Sequence, residues 1–115
     1  MKGGADMKQV IGYLRQSTMK QQSLAAQKQA IEAIAEKHHI QHINFYSDKQ
    51  SGRKDNRSGY RQMTQLIQQG QCDILCCYRL NRLHRNLKNA LKLIKLCQTY
   101  RVHILSVHDG YFVMD

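Results

Sequence analysis

The sequence has no apolar run of the roughly 18 residues that a membrane-spanning helix needs. Its N-terminus also has no apolar core of the kind that a secretory signal carries. Both absences predict a cytoplasmic protein without a membrane partner. Residues 1–6, MKGGAD, stand before a second methionine, Met7. We expect this segment to be a cloning remnant or a native extension, and we leave it out of the fold prediction.

Acidic residues are scarce. The chain has 8 Asp and Glu against 18 Lys and Arg, a formal net charge of +10 with neutral histidines. An excess of this size favours a polyanionic partner, and nucleic acid is the leading candidate. A solvated basic face without a ligand is the alternative that charge alone leaves open.

Metal-binding and nucleotide-binding motifs are also missing. The spacing of the four cysteines, Cys72, Cys76, Cys77 and Cys97, matches no common zinc pattern, which favours buried free thiols. The six histidines form neither an HExxH motif nor a Cys/His group, and no GxxxxGK[ST] phosphate loop is present. The sequence therefore predicts no metal and no cofactor.

The chain has 115 residues, a length that fits a single compact domain. Apolar stretches typical of strands alternate with stretches of helical period, and this predicts an α/β fold with a mainly parallel sheet of four to five strands flanked by helices. The predicted strands are 9–14, 42–46, 73–78 and 102–107, and the predicted helices are 23–38, 60–69 and 86–100. On the third helix we expect a buried face of Leu87, Ala90, Leu91, Ile94 and Cys97.

Polar side chains follow the first and third predicted strands. In parallel sheets, ligands gather beyond the carboxyl ends of the strands, so these side chains should be neighbours. The candidates are Arg15 and Ser17 after the first strand, Arg82 and Arg85 after the third, and Arg53, Lys54 or Arg57 from a long polar loop at 48–59.

One serine surrounded by arginines suits attack on a phosphodiester. The Ser17 hydroxyl would be the nucleophile, and guanidinium groups would bind the non-bridging oxygens without a metal. Arginine stays protonated near neutral pH, so the sequence does not identify the general base. Taken singly, such a serine is usually a turn residue and such arginines are usually solvated; only their co-occurrence indicates a site.

Several segments together resemble the catalytic domain of serine recombinases, the resolvase/invertase family, in the same order over residues 8–112. These segments are YLRQST at 13–18, QSL at 22–24 with Gln27, FYSD at 45–48 with Ser51 and Gly52, Arg57, and RLNRLHRN at 79–86. More narrowly, IGYLRQST, FYSDKQSGR and CCYRLNRLHRNLKNALKL are similar to the staphylococcal cassette chromosome recombinases, which are large serine recombinases.

This resemblance implies a resolvase-like three-layer fold and a mechanism. Ser17 would cleave DNA through a 5′-phosphoserine linkage, four subunits would exchange strands by rotation, and religation would need no ATP. The implied partners are double-stranded recombination-site DNA and further copies of the chain, acting at the nucleoid, and the implied role is excision or integration of a mobile chromosomal cassette. By the same resemblance Arg15, Arg82 and Arg85 bind phosphate, Arg57 is a further active-site arginine, and Gln27, Asp48, Asn81 and Tyr13 have supporting roles.

Three features depart from the family pattern. Asn81 stands where many resolvases have aspartate, and asparagine exchanges no proton at neutral pH. One extra residue lies between Thr18 and Gln22. The family also continues into a long dimerisation helix and DNA-binding domains, so residues 7–115 are expected to be the catalytic domain alone, monomeric or weakly self-associating and unable to recombine DNA unaided.

Three alternatives remain open at this point. A basic module could dock on nucleic acid without catalysis, using Ser17 and the arginines only to position phosphates. A small-molecule phosphate enzyme on a flavodoxin-like fold would want the glycine-rich loop that the sequence lacks. A serine transposase of the same superfamily would share this domain.

Overall fold

Strands and helices alternate along the chain, as the sequence pattern predicts. The structure, a computed structural model, describes residues 8–17, 21–49, 57–84 and 86–114. The elements are β1 (Val10–Gln16), α1 (Leu24–Lys37), β2 (Asn44–Lys49), α2 (Ser58–Gln68), β3 (Ile74–Cys77), a 3-10 turn (Leu80–Arg82), α3 (Leu87–Thr99), β4 (His103–Ser106) and β5 (Gly110–Phe112).

The five strands form one sheet in the order β2-β1-β3-β4-β5. β1 pairs in parallel with β2 and β3, and β3 pairs in parallel with β4. β5 returns antiparallel to β4 after a short turn, and its first residue, Gly110, adopts a φ of 113°. The predicted mainly parallel α/β fold is confirmed, and β5 supplies the fifth strand.

Helices cover both faces of the sheet, which makes three layers. α1 packs on one face through Ile31, over a cluster that also contains Val10, Leu14, Ile74, Cys76 and Leu105. α2 and α3 pack on the other face through Met63, Ile67, Leu93 and Cys97. Because β1 and β3 are buried along their whole length, they carry near-continuous apolar runs rather than an alternating pattern.

Two strand boundaries differ from the prediction in a way that matters for the site. β1 extends through Arg15 and Gln16, and β2 begins at Asn44 and extends through Lys49. The register pairs Arg15 with Asp48 and Gln16 with Lys49. Arg15 and Asp48 are therefore strand residues, held by the hydrogen bonds between β1 and β2. The polarity of these segments instead predicts that both residues lie in loops.

The predicted buried face of the third helix is wrong in part. Ala90 and Cys97 are buried as expected, together with Leu93, but Leu87, Leu91 and Ile94 are 74%, 57% and 40% exposed. Apolar residues occur around most of the circumference of α3, so the helical period alone does not select the face that packs. The three exposed residues form what we call the α3 apolar stripe.

All four cysteines are buried free thiols, which confirms the prediction made from their spacing. Burial raises the pKa of Cys76, Cys77 and Cys97 to about 12. These side chains behave as small apolar core residues and not as nucleophiles or metal ligands.

Candidate active site

The carboxyl ends of β1 and β3 lie side by side, because these strands are direct parallel neighbours with Tyr13 opposite Cys77. Ser17 follows the last residue of β1, and the 3-10 turn that ends at Arg82 contacts β1. The charge of Arg15 also reaches Arg82, where it helps to lower the pKa of that guanidinium. The fold thus brings the end of β1 and the segment after β3 to one edge, as the sequence predicts.

Ser17 is partly exposed at this edge, and Gln21 holds it. The Ser17 hydroxyl donates to Gln21 Oε1 at 3.1 Å, and the Ser17 backbone N–H donates to the same oxygen at 2.7 Å. Gln21 was not predicted as a site residue. An amide oxygen accepts a hydrogen bond but takes no proton at neutral pH, so Gln21 orients the hydroxyl without acting as its general base.

Gln27 fixes the strand end from the other side. Its side chain is fully buried, donates to the backbone oxygens of Arg15 and Gln22 at 2.9 Å each, and accepts from the Arg15 N–H at 3.3 Å. These bonds satisfy backbone groups that the β1 ladder leaves open where the chain turns towards α1. Gln27 therefore anchors the backbone of Arg15, and the hydrogen bonds of its side chain all go to backbone groups.

Arg82 is only 7% exposed, which is rare for an arginine. Its Nη1 donates to Asn81 Oδ1 at 3.1 Å, and its buried Nε makes no hydrogen bond. Burial, followed by the charges of Arg79 and Arg15, lowers its pKa. The Arg82 guanidinium is a desolvated cation that lies near other cations and has an N–H group without an acceptor, so binding of an anion would stabilise it. Asn81 holds this guanidinium as a neutral acceptor, where a carboxylate would neutralise it.

Asp48 organises the third part of the site. Its carboxylate is 5% exposed and accepts three hydrogen bonds: from the Tyr13 hydroxyl at 2.6 Å, from Gly59 N–H at 2.8 Å and from Tyr60 N–H at 2.9 Å. The last two donors belong to the first turn of α2, where an acceptor and a negative charge are both stabilising. Asp48 thus fixes where α2 begins.

A glycine is required at that first turn. A Cβ on Gly59 would lie 2.6 Å from the backbone oxygen of Ser47. Backbone atoms of a strand give way at a high energetic cost, so only glycine lets α2 approach β2 this closely.

Arg57 stands immediately before α2, and aromatic rings hold it. Its guanidinium lies 4.0 Å from the centre of the Tyr60 ring, and the Tyr60 ring meets the Tyr13 ring edge-on at 5.6 Å. Arg57 Nε and Nη2 are buried and make no hydrogen bond. Burial and then the hydrogen bond to Asp48 raise the pKa of Tyr13, while the positive charge of Arg57 and the close approach of its guanidinium to the Tyr13 hydroxyl lower it. Tyr13 is therefore a protonated donor that points its oxygen towards a cation.

Asp109 is a contributor that the sequence analysis missed. Its carboxylate accepts from the Leu80 N–H at 2.8 Å and from the buried Ser106 hydroxyl at 2.7 Å, so it ties the 3-10 turn carrying Arg82 to the end of β4. The hydrogen bonds from Ser106 and Leu80 hold the pKa of Asp109 below its usual range. The only signal in the sequence is the spacing of a serine and an aspartate after a strand, which is common at ordinary turns.

Some predicted residues cannot be placed. Arg85, Arg53 and Lys54 lie outside the described residues, as do Ser51 and Gly52. Within the described ranges, no three His, Cys, Asp or Glu side chains are grouped so that they could hold a metal ion. In the same ranges, no helix has the length and apolar character needed to cross a membrane.

The fold and this edge define an α/β domain of the three-layer kind, with its polar site at the carboxyl ends of the central parallel strands. The family model described as Resolvase, N terminal domain, matches residues 10–115. The chain therefore belongs to the resolvase family, and this region is the catalytic domain of serine recombinases.

Curated relatives agree with this assignment. A resolvase/recombinase of Pseudomonas putida is 33% identical over 101 residues, which are 88% of this chain and 52% of that protein. The transposon Tn917 resolvase of Enterococcus faecalis is 29% identical over 101 residues, 88% of this chain and 50% of that protein. The chain spans about half the length of these relatives.

Solved structures share the fold. The N-terminal catalytic domain of TP901-1 integrase matches with a TM-score of 0.75 and 25% identity, over 88% of this chain and 79% of that chain. A resolvase family site-specific recombinase from Streptococcus pneumoniae matches with a TM-score of 0.73 and 25% identity, over 88% and 74%. The C-terminal catalytic domain of ISC1926 TnpA, an IS607-like serine recombinase, matches with a TM-score of 0.72 and 22% identity, over 85% of this chain and 66% of that chain, which shows the fold alone.

Proposed function

We propose that this chain is the part of a site-specific DNA recombinase that cuts and rejoins DNA, with Ser17 as the nucleophile. One observation carries the proposal: at the edge where Ser17 lies, Arg57 and Arg82 keep three buried N–H groups, Nε and Nη2 of Arg57 and Nε of Arg82, without a hydrogen-bond acceptor. Leaving such donors empty costs free energy, of the order of 1–3 kcal/mol each. A phosphate bound at this edge would supply acceptors to these donors once the two guanidinium groups turn outwards to meet it.

The proposed reaction is a transesterification. The Ser17 oxygen bonds to phosphorus, the bond from phosphorus to the 3′ oxygen breaks, and the serine proton leaves to a base while the departing 3′ oxygen gains a proton. The product is a 5′-phosphoserine ester and a free 3′-hydroxyl. One phosphoester bond forms for each that breaks, so the reverse reaction rejoins the strand without a cofactor.

Each arginine has a distinct part in this scheme. Arg82 and Arg57 would bind the non-bridging oxygens as their charge is redistributed around five-coordinate phosphorus, and Arg15 would add positive potential. Arg85 would join them, as the resemblance implies. Asn81, Gln27, Asp48 and Tyr13 would not touch the phosphate but would hold the arginines and the strand end in place.

Self-association belongs to the same proposal. Strand exchange needs more than one subunit, and the α3 apolar stripe of Leu87, Leu91 and Ile94 is an exposed surface of the kind that protein interfaces cover. We propose this stripe as one contact between copies of the full-length protein. Three side chains are too few for a stable dimer by themselves, so the 115-residue chain would be monomeric or weakly associating.

The narrower biological role is excision or integration of a mobile chromosomal cassette. It is supported by the likeness of IGYLRQST, FYSDKQSGR and the segment after β3 to the staphylococcal cassette chromosome recombinases. A serine transposase would use the same domain and the same chemistry and would differ in the destination of the DNA.

The test is covalent trapping. The longest natural form of the protein that contains this chain is incubated with a nicked suicide substrate carrying its recombination site, and the products are separated on a denaturing gel. We expect a protein–DNA adduct that Ser17→Ala abolishes while duplex binding persists. Ser47→Ala, at an exposed position of β2, is the matched control and should keep the adduct. An adduct that survives Ser17→Ala would overturn the proposal in favour of another nucleophile, and the absence of any adduct would favour the non-catalytic module.

A further inference from the structure

The two helical layers differ in charge. α2 and α3 contain no acidic residue, and they carry Arg61, Lys88, Lys92 and Lys95. On α1, by contrast, Lys28 and Lys37 are balanced by Glu32 and Glu36. The α2–α3 layer is therefore a one-signed basic face, whereas the α1 layer has no net charge along its helix.

A groove runs between α2 and α3 on the basic face. It has a volume of about 300 Å³, and its lining includes Arg57, Thr64 and Gln68 on one side and Asn89, Lys92 and Leu93 on the other. The amide and amine groups here are hydrogen-bond donors of the kind that contact phosphate and sugar oxygens in DNA complexes, whereas the Thr64 hydroxyl donates to the backbone oxygen of Arg61. Among the residues that the structure describes, no carboxylate lines the groove to repel a phosphate.

This groove is continuous with the candidate active site through Arg57. That guanidinium lines the groove and also has two buried N–H groups without acceptors. A DNA strand with one phosphate on Arg57 can therefore place neighbouring phosphates along the groove. Residues 88, 92 and 95 lie four and three apart on one side of α3, and they span about 10 Å at 1.5 Å per residue. Three nucleotides of one strand advance about 10 Å along a duplex.

From this geometry we infer that duplex DNA lies along the α2–α3 face, with its backbone at the groove and at the lysines of α3, and that the α1 face points away from it. The inference rests on the proposed function, because it takes the phosphate at Arg57 as part of the DNA that Ser17 attacks. The competing occupant is a second protein chain that would cover both the α3 apolar stripe and the neighbouring lysines. Charge-removing substitutions on α3 and on α1 distinguish DNA from such a protein.

The test compares two pairs of substitutions that remove the same charge. Lys88→Gln with Lys92→Gln alters the α3 face, and Lys28→Gln with Lys37→Gln alters α1. All four lysines are exposed, so both variants should fold. Binding of the 115-residue chain to a fluorescent 20-base-pair duplex of arbitrary sequence is measured by anisotropy between 50 and 200 mM salt, and the circular dichroism spectrum confirms folding.

We expect the α3 pair to weaken binding by about tenfold or more at the lower salt concentration and to reduce the slope of log K against log salt by about 2, since two phosphate contacts are lost. The α1 pair should change affinity by less than about twofold. Equal losses from both pairs, or no loss from the α3 pair, would overturn the inference. Suppose instead that the α3 pair binds DNA as well as the parent does, but that the parent self-associates as its concentration rises and the α3 pair does not. That result would assign this face to a protein partner.

Failure of this inference can be told from failure of the proposed function. If the Ser17 adduct forms in the longer protein but the α3 pair binds duplex normally, only the path of the DNA is wrong. If the α3 pair weakens binding but no adduct forms, the face binds DNA and the nucleophile is wrong.

Discussion

The Tyr13 hydroxyl donates a 2.6 Å hydrogen bond to Asp48, and the same carboxylate caps the first turn of α2, the helix that Arg57 precedes. A residue of β1 is thereby linked to the start of α2. The position of Arg57 is consequently tied to the sheet through Asp48.

The first prediction concerns this link. Asp48→Ala leaves three donors without their acceptor, two of them in buried bonds, and should lower the free energy of unfolding by about 3 kcal/mol. Tyr13→Phe removes a single hydrogen bond and should cost about 1 kcal/mol. Urea denaturation of the two variants measures both values. Equal costs would mean that Asp48 does not organise the α2 turn.

The second prediction tests the packing face of α3. Leu93 is 4% exposed and Leu91 is 57% exposed on the same helix. Leu93→Ala should lower the free energy of unfolding by about 3 kcal/mol, because it leaves a cavity in the core. Leu91→Ala has the same helix propensity change and should cost less than about 1 kcal/mol. Thermal or urea unfolding distinguishes the two, and the reverse order would restore the face that the helical period predicts.

The third prediction concerns acid. Because the folded pKa of Asp109 lies below its unfolded value, this group stabilises the protein above the unfolded pKa, about 4, and that contribution is lost as the pH falls through the folded pKa. Asp109→Asn should therefore be less stable than the parent at pH 6, and the difference should shrink towards pH 3. Urea midpoints across this range provide the measurement. A difference that stays constant with pH would show that the charge of Asp109 does not hold the 3-10 turn.

The fourth prediction concerns the thiols. Since burial raises the pKa of Cys76, Cys77 and Cys97 to about 12, raising the pH from 7 to 9 produces little thiolate in the folded chain. Ellman's reagent should react slowly with the native protein at both pH values and should titrate all four cysteines in guanidinium chloride. Rapid reaction of any native thiol would contradict the buried placement.

Much of the fold could be predicted from the sequence, because the apolar runs of β1 and β3 and the helical period of α1 are determined locally. The buried face of α3 could not, since apolar residues surround that helix and only contact with α2 and the sheet selects a face. The strand placement of Arg15 and Asp48 depends on register between β1 and β2, which polarity does not encode.

The candidate site shows the same division. Ser17 and the arginines could be named because resemblance marks them and because carboxyl strand ends converge. Gln21 and Asp109 could not, because each acts through hydrogen bonds with residues whose positions depend on the fold. The stacking of Arg57 on Tyr60 likewise requires the helix start that Asp48 fixes.

We propose that Arg57 and Arg82 bind a DNA phosphate beside Ser17. The most direct measurement is the NMR signal of each arginine Nε–H in the 15N-labelled chain carrying Ser17→Ala, titrated with a short DNA duplex. We expect the Arg57 and Arg82 signals to move downfield together, along one binding curve, as their Nε–H groups gain a phosphate acceptor. Duplex binding that shifts lysine or backbone signals elsewhere and leaves both arginine signals in place would contradict it.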